Sequence, residues 1–446
     1  MSRFVFLGFG IVFCLTLFSF MKPFLSYELG AHYQRHKLLS RCILFFHIGT
    51  TSLLVAKVAD EAARKDILIN SILLIFILSI AIGLLKVCYR QEVLILWYIV
   101  FFLVDVGYIM LERLNHPLAT KQVIWVGIGV TGALIVPYVF KWLIYPKYKS
   151  FYMFLTLGII SLPFLFGASK NGALNWVQIG PISFQPSELG KVTFVMFLAA
   201  YFTNFEKNKN KGRALIIIGG IVGLILLQLV IQRDLGSALL YFITFVVMTY
   251  VGTQSAWVPL LGVIGGGLSA ILGYLCFDHV KVRVEVWLDP FIDASGKGYQ
   301  VVQGLFALGT WGFLGSGLTR GLPNKIPIVE TDYIFAAIGE ELGNGFAIVV
   351  LLSYLALVLQ GLKMALIQKK DFDTLILVGL VSLLAGQTLI IVGGVLKLIP
   401  LTGITMPFVS YGGSSMVVSF GMIGMLSFLL SQALKKTKKE GDDYET

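Results

Sequence analysis

Long apolar runs, separated by short charged segments, are the feature that most constrains the fold of this chain. About thirteen of these runs approach the roughly 20 residues that an α-helix needs to cross a bilayer. They do not alternate apolar and polar residues, so they favour membrane-spanning helices over a transmembrane β-barrel. A chain of 446 residues that is 57% hydrophobic also carries more apolar side chain than a soluble fold of that length buries. The predicted spans are 4–20, 42–58, 67–88, 93–111, 123–145, 151–168, 191–205, 214–231, 235–252, 258–277, 335–359, 375–396 and 409–430.

Lysine and arginine collect on one side of this predicted helix bundle. Cytoplasmic loops carry an excess of these residues, so we expect that side to be cytoplasmic. An odd number of spans then places the amino terminus outside and the carboxyl terminus inside. The same rule accounts for the net charge of +11 better than a nucleic-acid partner does, and no such partner is expected. The basic residues are Lys22, Arg35, Lys37, Arg41, Lys86, Arg90, Lys141, Lys147, Lys149, Lys207, Lys209, Lys211, Arg213, Lys435, Lys436, Lys438 and Lys439.

Two connections on the opposite side are unusual. One covers residues 169–190 and the other covers residues 278–332, which is too polar to cross the membrane. Connections of that length tend to carry function. No polar stretch is long enough for a separate soluble domain. The first apolar run lacks a small-residue cleavage site and is predicted to be a retained anchor. The cysteines show neither metal-ligand spacing nor a disulfide framework; they are Cys14, Cys42, Cys88 and Cys276.

The connection 278–332 contains two carboxylates four residues apart, Asp289 and Asp293, followed by Gly296 and Gly298. The simplest interpretation of Asp-Ala-Ser-Gly is a turn, because aspartate and glycine suit turn backbone. The functional alternative is a general base at the membrane surface. A carboxylate beside lipid gains proton affinity, which suits abstraction of a proton from a sugar hydroxyl. A Ser-His-Asp arrangement is not supported.

Other charged or helix-breaking segments each allow two interpretations. The cations near this loop are either solvated charges or a clamp for a pyrophosphate; they are Lys281, Arg283, Arg320 and Lys325. Acids at the start of a span are usually functional or paired; here they are Asp332, Glu340 and Glu341. Glu188 and Lys191 form either a helix-start ion pair or a substrate contact. The Pro- and Gly-rich stretch 400–415 lines a cavity or allows close helix packing.

Together these segments resemble the SEDS family of peptidoglycan glycosyltransferases, the RodA/FtsW/SpoVE group. The resemblance covers about ten spans from residue 93 onward, and the order and spacing of the motifs carry it. It predicts an all-α polytopic membrane protein with a ten-helix core and about three additional amino-terminal helices. The motifs are Lys121-Gln122, Asn175-Trp176, Gln185-Pro186-Ser187-Glu188 with Lys191, Asp234-Leu235-Gly236, Asp289-Pro290, Gly298-Tyr299-Gln300, Thr331-Asp332, Glu340-Glu341-Leu342-Gly343 and Pro400 through Gly412-Gly413-Ser414-Ser415.

The resemblance implies an enzyme that polymerises lipid II into glycan strands at the outer face of the bacterial cytoplasmic membrane. It makes Asp293 the base that deprotonates the acceptor 4-hydroxyl, which attacks the donor's anomeric carbon as lipid pyrophosphate leaves. Cationic side chains or a divalent ion, Mg²⁺ or Mn²⁺, would stabilise the leaving charge. The implied partners are a class B penicillin-binding transpeptidase and an elongation or division complex. The implied substrate-binding residues are Lys191, Glu188, Trp176, Arg283, Gln300, Asp332, Glu341, Ser410 and Ser414.

The resemblance also divides the chain and exposes departures from the family pattern. Residues 1–91 are predicted to form additional helices, residues 92–434 the core, and residues 435–446 a charged cytoplasmic tail. The family usually has Arg at Asn175, Pro at Arg233, Asn at Ile391 and Gly at Lys397. Asn175 and Ile391 would weaken a substrate contact, whereas Arg233 and Lys397 would add outward-facing charge.

Two other functions compete with the transferase. A flippase of lipid-linked precursors often shows inverted repeats and charge pairs near the membrane midplane, whereas here the acids lie mainly at the outer ends of spans. A catalytically silent scaffold of the cell-wall machinery is disfavoured because Asp293 is retained with its Gly-x-Gly-Tyr-Gln context.

Overall fold

A computed structural model describes residues 2–19, 29–170, 173–180 and 182–442. These residues form sixteen α-helices and one small antiparallel sheet. The helices are α1 (Ser2–Ser19), α2 (Leu29–Lys57), α3 (Glu61–Cys88), α4 (Gln91–Leu114), α5 (His116–Leu143), α6 (Lys149–Phe166), α7 (Pro186–Phe202), α8 (Lys211–Ile231), α9 (Leu235–Thr253), α10 (Trp257–Cys276), α11 (Asp278–Leu288), α12 (Tyr299–Thr310), α13 (Ile334–Glu341), α14 (Asn344–Leu366), α15 (Asp371–Val395) and α16 (Gly413–Asp442). The strands are β1 (Gly167–Lys170), β2 (Ala173–Ile179) and β3 (Ile182–Phe184).

Twelve of the thirteen predicted spans each overlap one helix of the described chain, and the span 335–359 is divided between two. Eleven of these helices are long and apolar enough to cross a membrane. Two others are shorter: α1 is apolar over Phe4–Ser19, and α7 has 17 residues with Glu188 and Lys191 near its start. The prediction of an all-α polytopic membrane protein is confirmed. The predicted placement of the termini stays a prediction, and Lys22, one of the residues behind it, lies outside the described residues.

Two helices form the centre of the bundle. The most apolar stretch of α4 is buried along its whole length, and 83% of the corresponding stretch of α15 is buried. No residue of the most apolar stretch of α10 is buried, so α10 lies at the periphery. The burial of α4 is explained by its neighbours, since it contacts α2, α3, α5, α14 and α16. The additional amino-terminal helices therefore cover one side of the first helix of the predicted core.

A buried polar cluster joins two of the additional helices to α4. The ring nitrogens of His47, on α2, lie 2.5 Å from Asp105 Oδ1 on α4 and 2.6 Å from Ser71 Oγ on α3. Thr51 Oγ1 lies 3.2 Å from the same serine hydroxyl. Asp105 is fully buried, and a carboxylate in that position is stable only when paired. His47 thus connects three helices through one side chain.

We expect His47→Leu to loosen the additional helices from the core. The substitution leaves Asp105 without its partner, and a buried polar group without a partner costs about 1–3 kcal/mol, more if it stays charged. Unfolding of the purified protein in detergent measures the loss. Ser71→Ala is the matched control, because it removes one hydrogen bond of the same ring and leaves the Asp105 contact intact. Equal stability of His47→Leu and wild type would contradict this role.

The two ends of the bundle differ in charge. At one end, which we call the basic end, Arg90 donates to the carbonyl oxygen of Leu434 at 3.3 Å, so α4 begins where the apolar part of α16 ends. At the other end, which we call the site end, Arg113 near the end of α4 donates to Glu341 and to the carbonyl oxygen of Gly321. The connection from α10 to α14 therefore lies at the site end.

The structure adds local detail to two predicted connections and corrects one predicted span. The connection 169–190 contains antiparallel strands in which Val177 pairs with Gly167 and with Phe184. The connection 278–332 has regular structure of its own, α11 and α12. The span predicted for residues 335–359 is broken, because Gly343 has φ +97° and a Cβ there would lie 2.5 Å from the Phe313 carbonyl oxygen. Residues 334–341 consequently form the separate helix α13.

Candidate active site

A cavity of about 200 Å³ opens at the site end between α11, α12 and the segment that follows α15. It contains three cationic side chains, Arg283, Lys297 and Lys397, and one carboxylate, Asp332. We call it the cationic cavity. Its lining residues are Val282, Arg283, Val286, Trp287, Lys297, Gln300, Val301, Asp332, Gly394, Lys397, Ile399, Leu401 and Gly403. The cavity thus collects Arg283, Gln300 and Asp332, three of the predicted substrate-binding residues.

Asp293 lies on the turn that joins α11 to α12, and its side chain is exposed. Its Oδ2 accepts a hydrogen bond of 2.9 Å from the backbone N–H of Lys297. A Cβ on Gly296 would lie 2.4 Å from Asp293 Oδ1, so a side chain at this position would displace the carboxylate. The predicted turn is therefore present, and it presents the carboxylate outward. Because the Lys297 side chain lines the cationic cavity, one residue connects Asp293 to the cavity.

Arg283 and Asp332 set the electrostatics inside the cationic cavity. Burial raises the pKa of Asp332 to about 6, against the lowering effects of a Thr331 hydrogen bond and the Arg283 charge. Burial also lowers the pKa of Arg283, while the charges of Asp332 and Asp234 raise it. The Arg283 guanidinium donates to the Leu401 carbonyl oxygen at 2.9 Å, which holds it in place. Asp332 consequently changes charge near neutral pH beside a fixed cation.

Two cations of the cavity, Lys297 and Lys397, were not among the predicted site residues. Lys397 has φ +59°, and its carbonyl oxygen accepts a 3.1 Å hydrogen bond from the Trp287 indole. Its Nζ donates to the Leu288 carbonyl oxygen at 3.3 Å. Lys297 follows Gly296 in the Asp293 turn. Lys297 is the variable residue of the Gly-x-Gly-Tyr-Gln segment, and Lys397 is a departure from the family pattern, so the sequence assigned neither of them a place in a site. The packing of α11 against the end of α15 brings them together.

A second group of predicted residues is buried below the cavity segment. Lys191 Nζ lies 2.6 Å from Glu188 Oε2 and donates to Gln387 Oε1 at 2.8 Å. Gln387 in turn donates to the Thr405 carbonyl oxygen at 2.7 Å, and the Thr405 hydroxyl donates to Ser415 at 2.9 Å. Glu188 and Lys191 therefore form an ion pair, one of their two predicted interpretations. The network joins α7, α15 and the start of α16.

Four predicted residues remain, and the side chains of two of them, Glu341 and Ser410, hold backbone in place. Glu341 accepts hydrogen bonds from Arg113 Nε and from the backbone N–H groups of Thr319 and Gly321. Ser410 donates to the Thr331 carbonyl oxygen at 2.6 Å and accepts from the backbone N–H of residue 406. Trp176 lies on β2, where it pairs with residue 168 of β1. Ser414 lies in the first turn of α16 and is partly exposed. None of the four lines the cationic cavity.

The sequence was compared with those of known proteins. The model of the FtsW/RodA/SpoVE cell cycle protein family matches residues 86–435. This chain belongs to that family. It is similar to "Peptidoglycan glycosyltransferase RodA" of Mycobacterium tuberculosis (strain ATCC 25618 / H37Rv), with 34% identity over 358 residues that cover 74% of this chain and 76% of the relative. It is also 34% identical to "Stage V sporulation protein E" of Bacillus subtilis (strain 168), over 69% of this chain and 85% of that protein.

Solved structures share the fold of this family member. A chain from "Structural coordination of polymerization and crosslinking by a peptidoglycan synthase complex" has a TM-score of 0.66 at 24% identity, covering 77% of this chain and 98% of that chain. The crystal structure of the rod shape determining protein RodA of Thermus thermophilus has a TM-score of 0.56 at 23% identity, covering 77% of this chain and 96% of that chain.

Two of the departures predicted from the resemblance lie at residues with positive φ. Lys397, where the resemblance predicts Gly, has a φ of +59°, the left-handed conformation that glycine adopts without strain. Arg233, where the resemblance predicts Pro, has a φ of +62°, which is closed to a proline ring. Burial, then the charges of Arg233 and Arg283, lower the pKa of His279 on α11. Arg233 therefore adds positive charge next to the cavity wall.

The residues of the cavity do not form a metal site by themselves. Within the described ranges there is no group of three or more His, Cys, Asp or Glu side chains that could hold a metal ion. Magnesium in proteins is usually held by one or two carboxylates together with substrate phosphates. The cationic cavity offers a single carboxylate, Asp332, among three positive side chains. The positive side chains of the cavity are Arg283, Lys297 and Lys397.

Proposed function

We propose that this chain is a peptidoglycan glycosyltransferase that polymerises lipid II into glycan strands at the outer face of the cytoplasmic membrane. The observation that carries the proposal is the cationic cavity beside the exposed carboxylate of Asp293, in a member of the FtsW/RodA/SpoVE family. Guanidinium and ammonium groups pair with phosphate oxygens, and a carboxylate accepts a proton from a hydroxyl. A lipid-linked sugar diphosphate and a sugar acceptor need both groups.

Asp293 acts as the general base in this proposal. Its carboxylate takes the proton of the acceptor 4-hydroxyl, the oxygen forms a bond to the donor's anomeric carbon, and the bond from that carbon to the diphosphate oxygen breaks. The departing lipid diphosphate keeps the electron pair, and the charges of Arg283, Lys297 and Lys397 stabilise it. A divalent cation would be held by the Asp332 carboxylate together with the diphosphate oxygens, and it would supply further positive charge for the leaving group. Gln300, held by the Pro327 carbonyl oxygen at 2.8 Å, orients the sugar.

The proposed setting is a multi-pass protein of the bacterial cytoplasmic membrane. Its site end faces outward, and its carboxyl terminus faces the cytoplasm, in agreement with the distribution of lysine and arginine. A class B penicillin-binding transpeptidase is the proposed partner within an elongation or division complex. Support comes from the fold that this chain shares with a component of a peptidoglycan synthase complex.

The proposal is tested with purified full-length protein and labelled lipid II. Glycan polymer, resolved on a gel, is the expected product. The assay is run with and without a co-purified transpeptidase, and with Mg²⁺, Mn²⁺ or a chelator. The same preparation in liposomes measures transfer of labelled lipid across the bilayer. Lipid transfer without polymer, under conditions where a RodA relative makes polymer, would support a flippase and reject the proposal. If neither polymer nor lipid transfer is detected, the proposal is rejected in favour of a scaffold function.

Asp332 makes binding of a diphosphate dependent on pH. Its pKa of about 6 means that the carboxyl is ionised at pH 7, where it opposes an anion, and largely neutral at pH 5. We expect Asp332→Asn to bind inorganic pyrophosphate about three- to tenfold more tightly than wild type at pH 7, and equally at pH 5. Isothermal titration calorimetry measures the pyrophosphate affinity of both proteins at each pH. Because pyrophosphate itself takes up protons over this range, the ratio between the two proteins is the quantity to compare.

The matched control for this measurement is Asp289→Asn. Asp289 is exposed outside the cavity, and its carboxylate accepts the backbone N–H of Phe291 at 3.0 Å. It is expected to leave the pyrophosphate affinity unchanged at both pH values. A constant ratio between wild type and Asp332→Asn across the pH range would show that Asp332 does not titrate beside the anion.

A further inference from the structure

A second cavity, of about 510 Å³, lies at the basic end of the bundle between α2, the end of α3 and the start of α4. It is formed jointly by additional helices and by the family core, whose matched region begins at residue 86. Its lining residues are His36, Lys37, Ser40, Arg41, Lys86, Tyr89, Gln91, Leu94 and Tyr98. No acidic residue is among them. The cavity is at the opposite end of the bundle from Asp293 and plays no part in the proposed transfer reaction.

The cavity has a buried floor and a cationic rim. His36, Leu94 and Tyr98 are buried, and the rings of His36 and Tyr98 lie 5.5 Å apart. Lys37, Arg41 and Lys86 are exposed and make the opening positively charged. Ser40, Tyr89 and Gln91 are partly buried and add hydroxyl and amide donors to the lining. Three cations and several neutral donors around a concave space are the chemistry that binds a phosphate group.

The surroundings of the rim favour a phosphate that belongs to a lipid. Large apolar side chains next to the rim cations are exposed on the outer faces of α2 and α3: Leu38 (43%), Phe45 (71%), Leu84 (47%) and Val87 (86%). In a bilayer these faces contact acyl chains. A headgroup in the cavity would therefore keep its acyl chains against α2 and α3, whereas a free phosphate would gain nothing from them. Basic pockets between helices at this membrane level commonly hold anionic headgroups.

We propose that this cavity binds the phosphodiester headgroup of an anionic membrane phospholipid. Lys37 and Arg41 contact it from α2, and Lys86 contacts it from α3. The lipid connects the additional helices to the start of α4, and its site is separate from the one that takes lipid II. Since α2 contributes most of the rim, a chain that lacks the additional helices would lack the site.

The test uses the purified full-length protein in nanodiscs of phosphatidylcholine with graded amounts of phosphatidylglycerol, and counts retained lipids by native mass spectrometry. The combined variant Lys37→Ser/Arg41→Ser/Lys86→Ser is expected to retain phosphatidylglycerol at least about tenfold more weakly than wild type, since each cation near an anionic surface contributes a severalfold gain in affinity. The matched control is Lys207→Ser/Lys209→Ser/Arg213→Ser. It removes the same charge from exposed residues at the connection between α7 and α8, none of which lines the cavity.

Three outcomes would overturn the proposal. The first is equal retention by wild type and the rim variant, and the second is an equal loss in the control. The third is full displacement of phosphatidylglycerol by an equal concentration of inorganic phosphate, which would mean that a free phosphate is the ligand. The charge-conserving variant Lys37→Arg/Arg41→Lys/Lys86→Arg is expected to retain the lipid, so a folding defect of the serine variant does not decide the result.

Discussion

Asp293→Asn is expected to reduce glycan polymerisation by about 10²–10⁴-fold, the range that a positioned general base contributes. The amide keeps the size of the side chain and can still accept the Lys297 N–H that holds Asp293 Oδ2, but it cannot take a proton. Fold and membrane insertion should therefore be preserved. Rates are measured as glycan polymer formed from labelled lipid II by equal amounts of purified protein.

The same turn offers two matched variants. Asp289→Asn removes the neighbouring carboxylate, which accepts the backbone N–H of Phe291 in the same turn, and is expected to change the rate by no more than about twofold. Gly296→Ala keeps Asp293 and displaces it, because the new Cβ would lie 2.4 Å from Oδ1. Its rate should fall between those of Asp289→Asn and Asp293→Asn. Polymer made equally well by Asp293→Asn would remove Asp293 from the mechanism.

The fold could be predicted from the sequence to the level of its helices. Long apolar runs have few ways to satisfy their backbone in lipid, so composition and length already identify them. Breaks within the helices and the short strands could not be predicted from the sequence in the same way. The end of α13 depends on the close approach of Gly343 to the Phe313 carbonyl oxygen, a contact between residues 30 positions apart. The strands β1 to β3 are short, and the pattern of a three-residue strand is too brief to recognise.

The site was predictable only in part, for a similar reason. The family pattern pointed to Arg283, Gln300 and Asp332, and the structure places all three in one cavity. The same pattern named Glu341, whose carboxylate is occupied by Arg113 and two backbone N–H groups. A family motif records both the residues that meet a substrate and those that hold the site together. Only the hydrogen-bond partners of each residue, which lie far away in sequence, distinguish a substrate-binding residue from one that holds the site together.

Lys191→Met is expected to lower the free energy of unfolding by about 3–5 kcal/mol, the usual cost of leaving one member of a buried ion pair behind. Lys191 and Glu188 are 1% and 4% exposed, so water cannot compensate the carboxylate that remains. Gln387 also loses the donor for its Oε1. Unfolding in detergent, followed by the loss of monodisperse protein on heating, measures the effect against wild type.

Two comparisons separate this structural role from a substrate contact. The double variant Glu188→Gln/Lys191→Met removes both charges and should regain most of the loss, because the cost arises from the unpaired carboxylate. The exposed pair of Lys65 and Glu61, 3.0 Å apart, is the control, and Lys65→Met should cost less than about 1 kcal/mol.

If Lys191 instead binds substrate directly, Lys191→Met would keep the stability of wild type and raise KM for lipid II, and the double variant would not recover it. A loss of stability that is restored in the double variant, with KM unchanged there, assigns the pair to the framework. The Glu188–Lys191–Gln387 network then acts on the reaction only by holding α7 against α15. Substrate recognition in that case rests on the cationic cavity, where Arg283, Lys297 and Lys397 carry the charge.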